Sequence, residues 1–303
     1  MKPFFSVHAN IDIARFNTKD DAAVLIVVGA TKPDADVSKA NVFWAVWILT
    51  LLCGHIQATT IVVVRTPIEV AMAADSCGTM GYQPGCKPVC KISHIDDIYV
   101  GVAGLDNDGN TGFSISKIVA QAIRGEHSFI EKINLATKAI PSPLRKEALA
   151  LKKIGFLGPL LKDGVVILFI GTQDEVPMYA GQNFTVTDSK GVVKVAPSKR
   201  EECPGKDCPV GLWISPVGET DAITVYRSNP ANRVVHDVAD YARTLVQLQI
   251  NKPTPGVSGP VHIVRISTAT GTQVVDPKPS CPVDVSVNAR TAKDKQQKAV
   301  KKR

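Results

Sequence analysis

The sequence carries almost no net charge outside its C-terminal end. The chain has a formal net charge of +7, and residues 290–303 supply six of these charges, with seven Lys or Arg residues against one Asp. A short Lys-rich end is typical of a solvated segment without a packed core. We therefore predict a disordered basic tail over residues 277–303. The near-neutral remainder gives no sign of a nucleic-acid surface, so no nucleic-acid partner is expected.

The sequence also lacks the spacings of common cofactor and metal motifs. The glycines between residues 101 and 109 are not followed by Gly-Lys-Ser or Gly-Lys-Thr, which argues against a phosphate-binding loop. The histidines are scattered without ligand spacing. The CxxxC and CxxxxC spacings leave zinc as an alternative, but only His94 lies near them. We expect neither a metal nor an organic cofactor.

No apolar run reaches the ~20 residues that a membrane-spanning helix needs. The longest one, VFWAVWILTLLCG over 42–54, has the length of a secretory signal core, and the small residue Ala58 follows it. We predict a pro-region over 1–58, cleavage after Ala58, and a secreted or periplasmic protein that meets the membrane only transiently. Ile56 is bulkier than such a cleavage site prefers. Alternatives are a membrane anchor formed by an uncleaved 42–54 segment and, less favoured, a lipoprotein attached through Cys53.

Cysteine usage fits an exported protein. Cleavage after Ala58 leaves an even number of cysteines, which predicts disulfides in an oxidising compartment; they are Cys77, Cys86, Cys90, Cys203, Cys208 and Cys281. Cys203 and Cys208 close a short turn and form the expected local pair. The other four allow three pairings.

The pattern after residue 58 predicts an α+β fold. Dense β-branched or apolar stretches predict strands at 59–65, 69–75, 90–95, 98–104, 165–170, 177–187, 192–195, 211–215, 261–267 and 272–275. Helical spacing predicts helices over 110–124, 129–153 and 229–249, the second broken by Pro141 and Pro143 and the third capped by Asn229. This order predicts a four-layer αββα sandwich of two packed antiparallel sheets flanked by helices.

Three residues near the start of this region suggest a reaction mechanism. A threonine hydroxyl needs an adjacent base to act as a nucleophile, and an N-terminal threonine supplies its own α-amine, whose reference pKa is ~8. A nearby Lys would lower that pKa, and a carboxylate would hold the Lys in place. Thr59, Asp75 and Lys91 would meet if both predicted hairpins end at one edge of the sandwich.

The stretch TTIVVVRTPIEVAMAADS, which begins at Thr59, resembles the opening of proteasome β-subunits and their bacterial relatives. These proteins are N-terminal nucleophile (Ntn) hydrolases. The resemblance implies that Thr59 is the catalytic residue, with Asp75 and Lys91 as its partners; starting from Thr60 would break both spacings. It covers about residues 59–276 and implies an Ntn hydrolase domain there.

Other stretches carry the resemblance less closely. IYVGVAGLDND resembles the family's oxyanion turn, which implies Gly104 or Leu105 as the amide donor. The sequence departs from the family at Ala58, where self-processing subunits usually have Gly. No clear serine matches the family's supporting turn within residues 215–220. Thr254 and Val257 stand where the family has a supporting Asp and Ser.

The resemblance implies a threonine-type peptidase or amide hydrolase that acts on a peptide or protein substrate and needs no cofactor. Either export cleavage or self-cleavage would free the Thr59 amine. The alternative is a catalytically inactive structural or binding subunit, which the substituted supporting residues favour. Family members form rings, so a homo-oligomer is possible, although the additional disulfide loops would obstruct ring contacts.

Overall fold

The computed structural model describes residues 11–15, 24–28, 59–78, 87–125, 127–206, 208–252 and 256–276. The apolar run 42–54, Ala58, Cys86, Thr254, Cys281 and the basic tail lie outside the described residues. The chain divides into two units, Met1–Cys53 and Gly54–Arg303. In the first unit, β1 (Ile11–Arg15) and β2 (Val24–Val28) form an antiparallel pair that the sequence analysis did not predict.

Two antiparallel sheets form the centre of the second unit. The five-stranded sheet has the order β15-β3-β4-β16-β17, with bounds β3 Thr60–Arg65, β4 Glu69–Ala74, β15 Trp213–Gly218, β16 His262–Ser267 and β17 Gly271–Asp276. The six-stranded sheet has the order β13-β12-β11-β8-β7, and β14 also pairs with β12. Its bounds are β7 Ile92–Ile95, β8 Ile98–Gly104, β11 Val165–Gln173, β12 Val176–Ser189, β13 Val192–Pro197 and β14 Glu201–Cys203.

Shorter strands and the helices lie between these strands along the chain. Two two-stranded pairs are formed by β5 (Cys77–Gly78) with β6 (Lys87–Pro88), and by β9 (Asn107–Asp108) with β10 (Phe113–Ser114). The helices are α1 Ile115–Ala122, α2 Phe129–Ala139, α3 Pro141–Lys153, α4 Leu157–Asp163, α5 Asp221–Ser228 and α6 Val238–Asn251, with a 3₁₀ turn at Pro230–Arg233. None of the helices in the described ranges is long and apolar enough to cross a membrane.

The alternation of buried residues in β3 shows the layering. Ile61 and Val63 belong to the core between the two sheets, whereas Val62 and Val64 pack with α5 and α6 on the outer face. A third core packs α1 to α4 against the outer face of the six-stranded sheet. The sheets meet closely at Gly101, where an added Cβ would lie 2.9 Å from Sδ of Met72. The α+β prediction with two packed antiparallel sheets is therefore confirmed.

The predicted break in the helix over 129–153 is confirmed, and Pro141 begins the second piece as its first residue. The helix predicted over 110–124 is shorter, because β10 occupies Phe113–Ser114 and α1 begins only at Ile115. Ser114 caps this helix by accepting a hydrogen bond from the Lys117 amide. The α4 helix was not predicted.

The helix predicted over 229–249 is wrong in its first part. Asn229 does act as a cap, accepting from the Ala231 amide, but it begins only the 3₁₀ turn. The chain is then extended at Val234, which is exposed. A second cap, Asp237, accepts from the Asp240 amide and begins α6. Two successive capping residues therefore divide the segment that the apolar spacing predicted as one helix. The α5 helix, which precedes this segment, was not predicted.

Candidate active site

Thr59 lies immediately before β3, at an end of the five-stranded sheet where it is buried. The end of the neighbouring strand β15 holds it. The amide of Glu219 donates to the carbonyl oxygen of Thr59 at 2.8 Å, and Oγ1 of Thr60 donates to the carbonyl oxygen of Glu219 at 2.9 Å. These reciprocal bonds fix the backbone of Thr59 and Thr60.

Gly218 brings β15 close enough to make these bonds. Its φ of +83° is in the left-handed region that favours glycine. A Cβ atom added here would lie 1.7 Å from the carbonyl oxygen of Thr59, which is much closer than van der Waals contact allows. The position next to Thr59 therefore accepts only glycine without moving the backbone.

Asp75 follows β4 and is held by three donors. Its Oδ1 accepts from the Thr60 amide at 2.8 Å and from Nζ of Lys91 at 2.7 Å, while its Oδ2 accepts from the Cys77 amide at 3.1 Å. Asp75 as a residue is 1% exposed. A buried charge is costly unless it is paired and hydrogen-bonded, and this one is both. Asp75 thus joins the start of β3 to Lys91.

Lys91 reaches this site from the other sheet. It directly precedes β7, whose first residue, Ile92, lies opposite Gly101 of β8. Its ammonium forms a buried ion pair with Asp75, with Lys91 itself 8% exposed. The residues Thr59, Asp75 and Lys91, predicted from their spacing, therefore lie at one end of the sandwich, joined through Asp75 and the Thr60 amide.

The segments that carry Asp75 and Lys91 are also linked by a backbone hydrogen bond, and each of them carries a disulfide-bonded cysteine. Cys77 and Cys90 are both disulfide-bonded. The amide of Val89 donates to the carbonyl of Ser76, and the amide of Ser76 donates to the carbonyl of Ser258 at 3.1 Å. The hydroxyl of Ser76 also donates to the carbonyl of Pro260. The disulfides therefore lie two residues after Asp75 and one residue before Lys91.

The predicted oxyanion residues lie at the end of β8. Gly104 has a φ of +95° and stands opposite Val165, and an added Cβ would lie 2.7 Å from the carbonyl oxygen of Gly164. Leu105 follows, partly buried against the core on the helix side. The role of either amide as an oxyanion donor stays a prediction.

The supporting positions differ from those of the family the sequence resembles. Ser215 lies within the β15–β3 pair, opposite Val63, and its Oγ accepts a hydrogen bond from the Tyr179 hydroxyl at 2.7 Å. It therefore stands away from Thr59, along the strand. Val257 is buried and offers no polar group. The support that the structure gives Thr59 comes from the backbone of Gly218 and Glu219, which the sequence analysis did not single out.

One signal in the sequence points toward that support. Gly218 lies just beyond the predicted strand 211–215, a position where glycine often permits close backbone approach. The Glu219 contribution is made entirely by main-chain atoms, so its side chain gives no signal.

The cysteine predictions are partly confirmed. Cys203 and Cys208 form a disulfide. Within the described part of the chain, no group of three or more His, Cys, Asp or Glu side chains is arranged to hold a metal ion.

In comparisons with known proteins, no protein family matches the chain. No curated protein matches it either.

Proposed function

We propose that the protein is a threonine-type peptidase or amide hydrolase of the Ntn class, with Thr59 as its nucleophile after cleavage following Ala58. One observation carries the proposal. Oδ1 of Asp75 accepts hydrogen bonds from both the Thr60 amide and Nζ of Lys91. The ammonium therefore lies within two hydrogen-bond lengths of the first peptide unit after Thr59.

Cleavage would change the chemistry of this position. In the intact chain the nitrogen of Thr59 belongs to the Ala58–Thr59 peptide bond and cannot act as a base. Once freed, it is an amine with a reference pKa of ~8. The positive charge of Lys91 would lower that pKa and favour the neutral amine, which accepts the proton of the Thr59 hydroxyl.

The reaction then proceeds in two steps. The hydroxyl oxygen of Thr59 attacks the carbonyl carbon of the substrate amide, and the amine passes the proton to the departing nitrogen. The acyl group stays on Thr59 as an ester. A water molecule, deprotonated by the same amine, attacks the ester and restores the hydroxyl. Gly104 or Leu105 would stabilise the oxyanion in both steps.

Two further observations support this function. The sheets and helices form the helix–sheet–sheet–helix layers that the Ntn resemblance implies. The Cys203–Cys208 disulfide is compatible with an extracellular or periplasmic location, where export cleavage would free Thr59. Self-cleavage at the same bond is the other route. The proposed substrate is a peptide or protein, and a homo-oligomer is compatible with the proposal.

The test combines the mature terminus with covalent labelling. N-terminal sequencing of the processed protein is expected to begin at Thr59. A hydroxyl-directed electrophile is expected to label wild type and Thr59→Ser but not Thr59→Val, which keeps the shape and loses the hydroxyl. Thr185→Val serves as the control, because the Thr185 hydroxyl on β12 donates to the carbonyl oxygen of Ala196, away from Thr59, and this variant should still be labelled. A mature start elsewhere, or equal labelling of Thr59→Val, rejects the proposal.

The alternative is an inactive structural or binding subunit. The engaged hydroxyl of Ser215 and the buried apolar side chain of Val257 favour it, because neither supplies a polar group beside Thr59. Correctly processed wild-type protein that stays unlabelled would support this alternative.

A further inference from the structure

Arg65, at the end of β3, is a buried cation. It is 4% exposed, and no carboxylate of the described residues forms an ion pair with it. Its Nε donates to the carbonyl oxygen of Pro177 at 3.0 Å. Burial lowers the pKa of its guanidinium, which expresses the cost of holding this charge in the core. A buried charge of this kind normally has a counterion.

A second partner of Arg65 is a sulfur atom. Its Nη1 lies 3.4 Å from Sγ of Cys203, which forms the disulfide with Cys208. The two sulfurs differ in access, because Cys203 is fully buried whereas Cys208 is partly exposed. An incoming thiol therefore meets Cys208 first, and the buried Cys203 is the natural leaving group next to the guanidinium.

We propose that Cys203–Cys208 is a thiol–disulfide exchange site, opened by a thiol reductant through attack on Cys208, with Arg65 as counterion of the departing Cys203 thiolate. A structural disulfide would gain nothing from a buried cation at one sulfur. A reducible one gains a stabilised leaving group, since exchange is faster when the leaving thiol is more acidic. Reduction would also give Arg65 an anion, which none of the described carboxylates provides.

The exchange balances in two steps. A reductant thiolate attacks Sγ of Cys208, the Cys203–Cys208 bond breaks, and Cys203 leaves as a thiolate. A second thiol of the reductant, deprotonated, attacks the mixed disulfide and releases Cys208 as a thiolate that takes up a proton. The protein disulfide gains two electrons, and the dithiol reductant loses two and becomes a disulfide.

The other titratable groups around Cys203 do not replace Arg65 as the counterion. Tyr179 lies opposite Cys203 on β12, and burial raises the pKa of its hydroxyl, so it stays neutral at pH 7. Glu201 accepts from that hydroxyl, and Glu202 is paired with Arg200. The two glutamates on β14 are acidic and would oppose a thiolate.

The first test measures the opening equilibrium in the full chain. The protein is equilibrated in mixtures of reduced and oxidised dithiothreitol, and alkylation of Cys203 and Cys208 is quantified by mass spectrometry. For Arg65→Met, the ratio of reduced to oxidised dithiothreitol at which half of the Cys203–Cys208 disulfide is reduced should be about tenfold higher than for wild type. This factor corresponds to a loss of thiolate stabilisation by about one pKa unit. Arg265→Met is the control, because Arg265 pairs with Glu69 and Asp237 and does not contact either cysteine.

The second test does not depend on an arginine variant that folds. In Cys208→Ser, Cys203 is a free thiol, and its thiolate absorbance at 240 nm is followed against pH, with Cys203→Ser/Cys208→Ser as the baseline. Half ionisation below the usual thiol value of ~8.5 is expected. Half ionisation at or above that value overturns the proposal. An equal opening midpoint in wild type and Arg65→Met also overturns it.

Discussion

Nζ of Lys91 lies 2.7 Å from Oδ1 of Asp75, and this contact joins the segment before β7 of one sheet to the segment after β4 of the other. Both side chains are buried. The same oxygen binds the Thr60 amide, so a change at either residue is transmitted to Thr59. The pair is therefore both a structural link between the sheets and the electrostatic centre of the candidate site.

Replacement of Lys91 by Met should affect both roles. Removal of one partner from a buried ion pair typically costs about 3–5 kcal/mol of unfolding free energy. If the proposed reaction takes place at this site, loss of one positioned charge should lower turnover per folded molecule by about 10²–10³-fold. Lys91→Arg should not restore turnover, because a flat guanidinium does not replace a compact ammonium. Urea unfolding and activity of processed protein measure the two effects separately.

Lys132 provides the matched control for this experiment. It is 3% exposed and pairs with Asp96, at 2.8 Å, and Asp97 in the turn between β7 and β8. Lys132→Met should lower stability without changing turnover per folded molecule. Unchanged turnover in Lys91→Met would end the assignment of Lys91 to the site and leave it a structural role only.

Gly218→Ala should displace Thr59. The added Cβ would meet the Thr59 carbonyl oxygen at 1.7 Å, and the φ of +83° adds strain. Gly191, in the turn between β12 and β13, is the control, since its φ is +85° and no atom lies within 4 Å of an added Cβ. Gly191→Ala should cost only the left-handed strain of about 1–2 kcal/mol. Gly218→Ala should cost more and abolish covalent labelling; equal losses would show that the contact is easily relieved.

The sequence predicts the strands of the site well because their signals are local. β3 and β8 are β-branched or apolar runs, and the Asp96–Asp97 turn ends one hairpin where expected, with Asp96 at a φ of +59°. The β3–β4 hairpin then brings Thr59 close to Asp75, whereas Lys91 meets Asp75 because the two sheets pack against each other.

Contacts between distant segments were not predictable in the same way. In the sequence, Arg65 has the pattern of a polar residue at the end of a strand. In the structure it is covered by strands more than a hundred residues away along the chain, through contacts with Pro177 and Cys203. The close approach of Gly218 to Thr59 likewise depends on β15 pairing with β3. Such pairings follow from the whole topology, and no local pattern near Arg65 or Gly218 encodes them.

Glu147, on α3, should make stability depend on pH. Burial raises the pKa of its carboxyl, and the neighbouring carboxylate of Asp108 adds to this effect. The folded state therefore binds the proton more tightly than the unfolded state does. Stability should fall as pH rises from the unfolded value of ~4.3 through the raised folded pKa. Glu147→Gln should remove this fall and be relatively more stable at pH 7.

Glu131 gives the opposite sign in the same helical layer. Hydrogen bonds from the backbone and side chain of Ser128 lower the pKa of its carboxyl. The contribution of Glu131 to stability should be present above the pKa of its carboxyl in the unfolded state and be lost as pH falls through its pKa in the folded state. Chemical unfolding between pH 3 and 8 measures how the free energy of unfolding changes with pH. Glu147→Gln and Glu131→Gln should thus change the slope of this dependence in opposite directions. Parallel changes would contradict both assignments.

The disulfide at Cys90 should matter for activity more than the one at Cys208. Cys90 directly precedes Lys91 and is disulfide-bonded, so Cys90→Ser should loosen the segment that aims the ammonium at Asp75. Misplacement by about 1 Å at a reacting centre costs up to about 10²-fold in rate, and a loss of this order is expected. Cys208→Ser removes the disulfide to Cys203, whose sulfur contacts Arg65. Because Arg65 lies at the opposite end of β3 from Thr59, this variant should leave turnover per folded molecule unchanged. Activity assays on both processed variants, with circular dichroism as the folding check, decide the question. If Cys90→Ser retains full turnover, Lys91 is held by its ion pair and strand contacts alone.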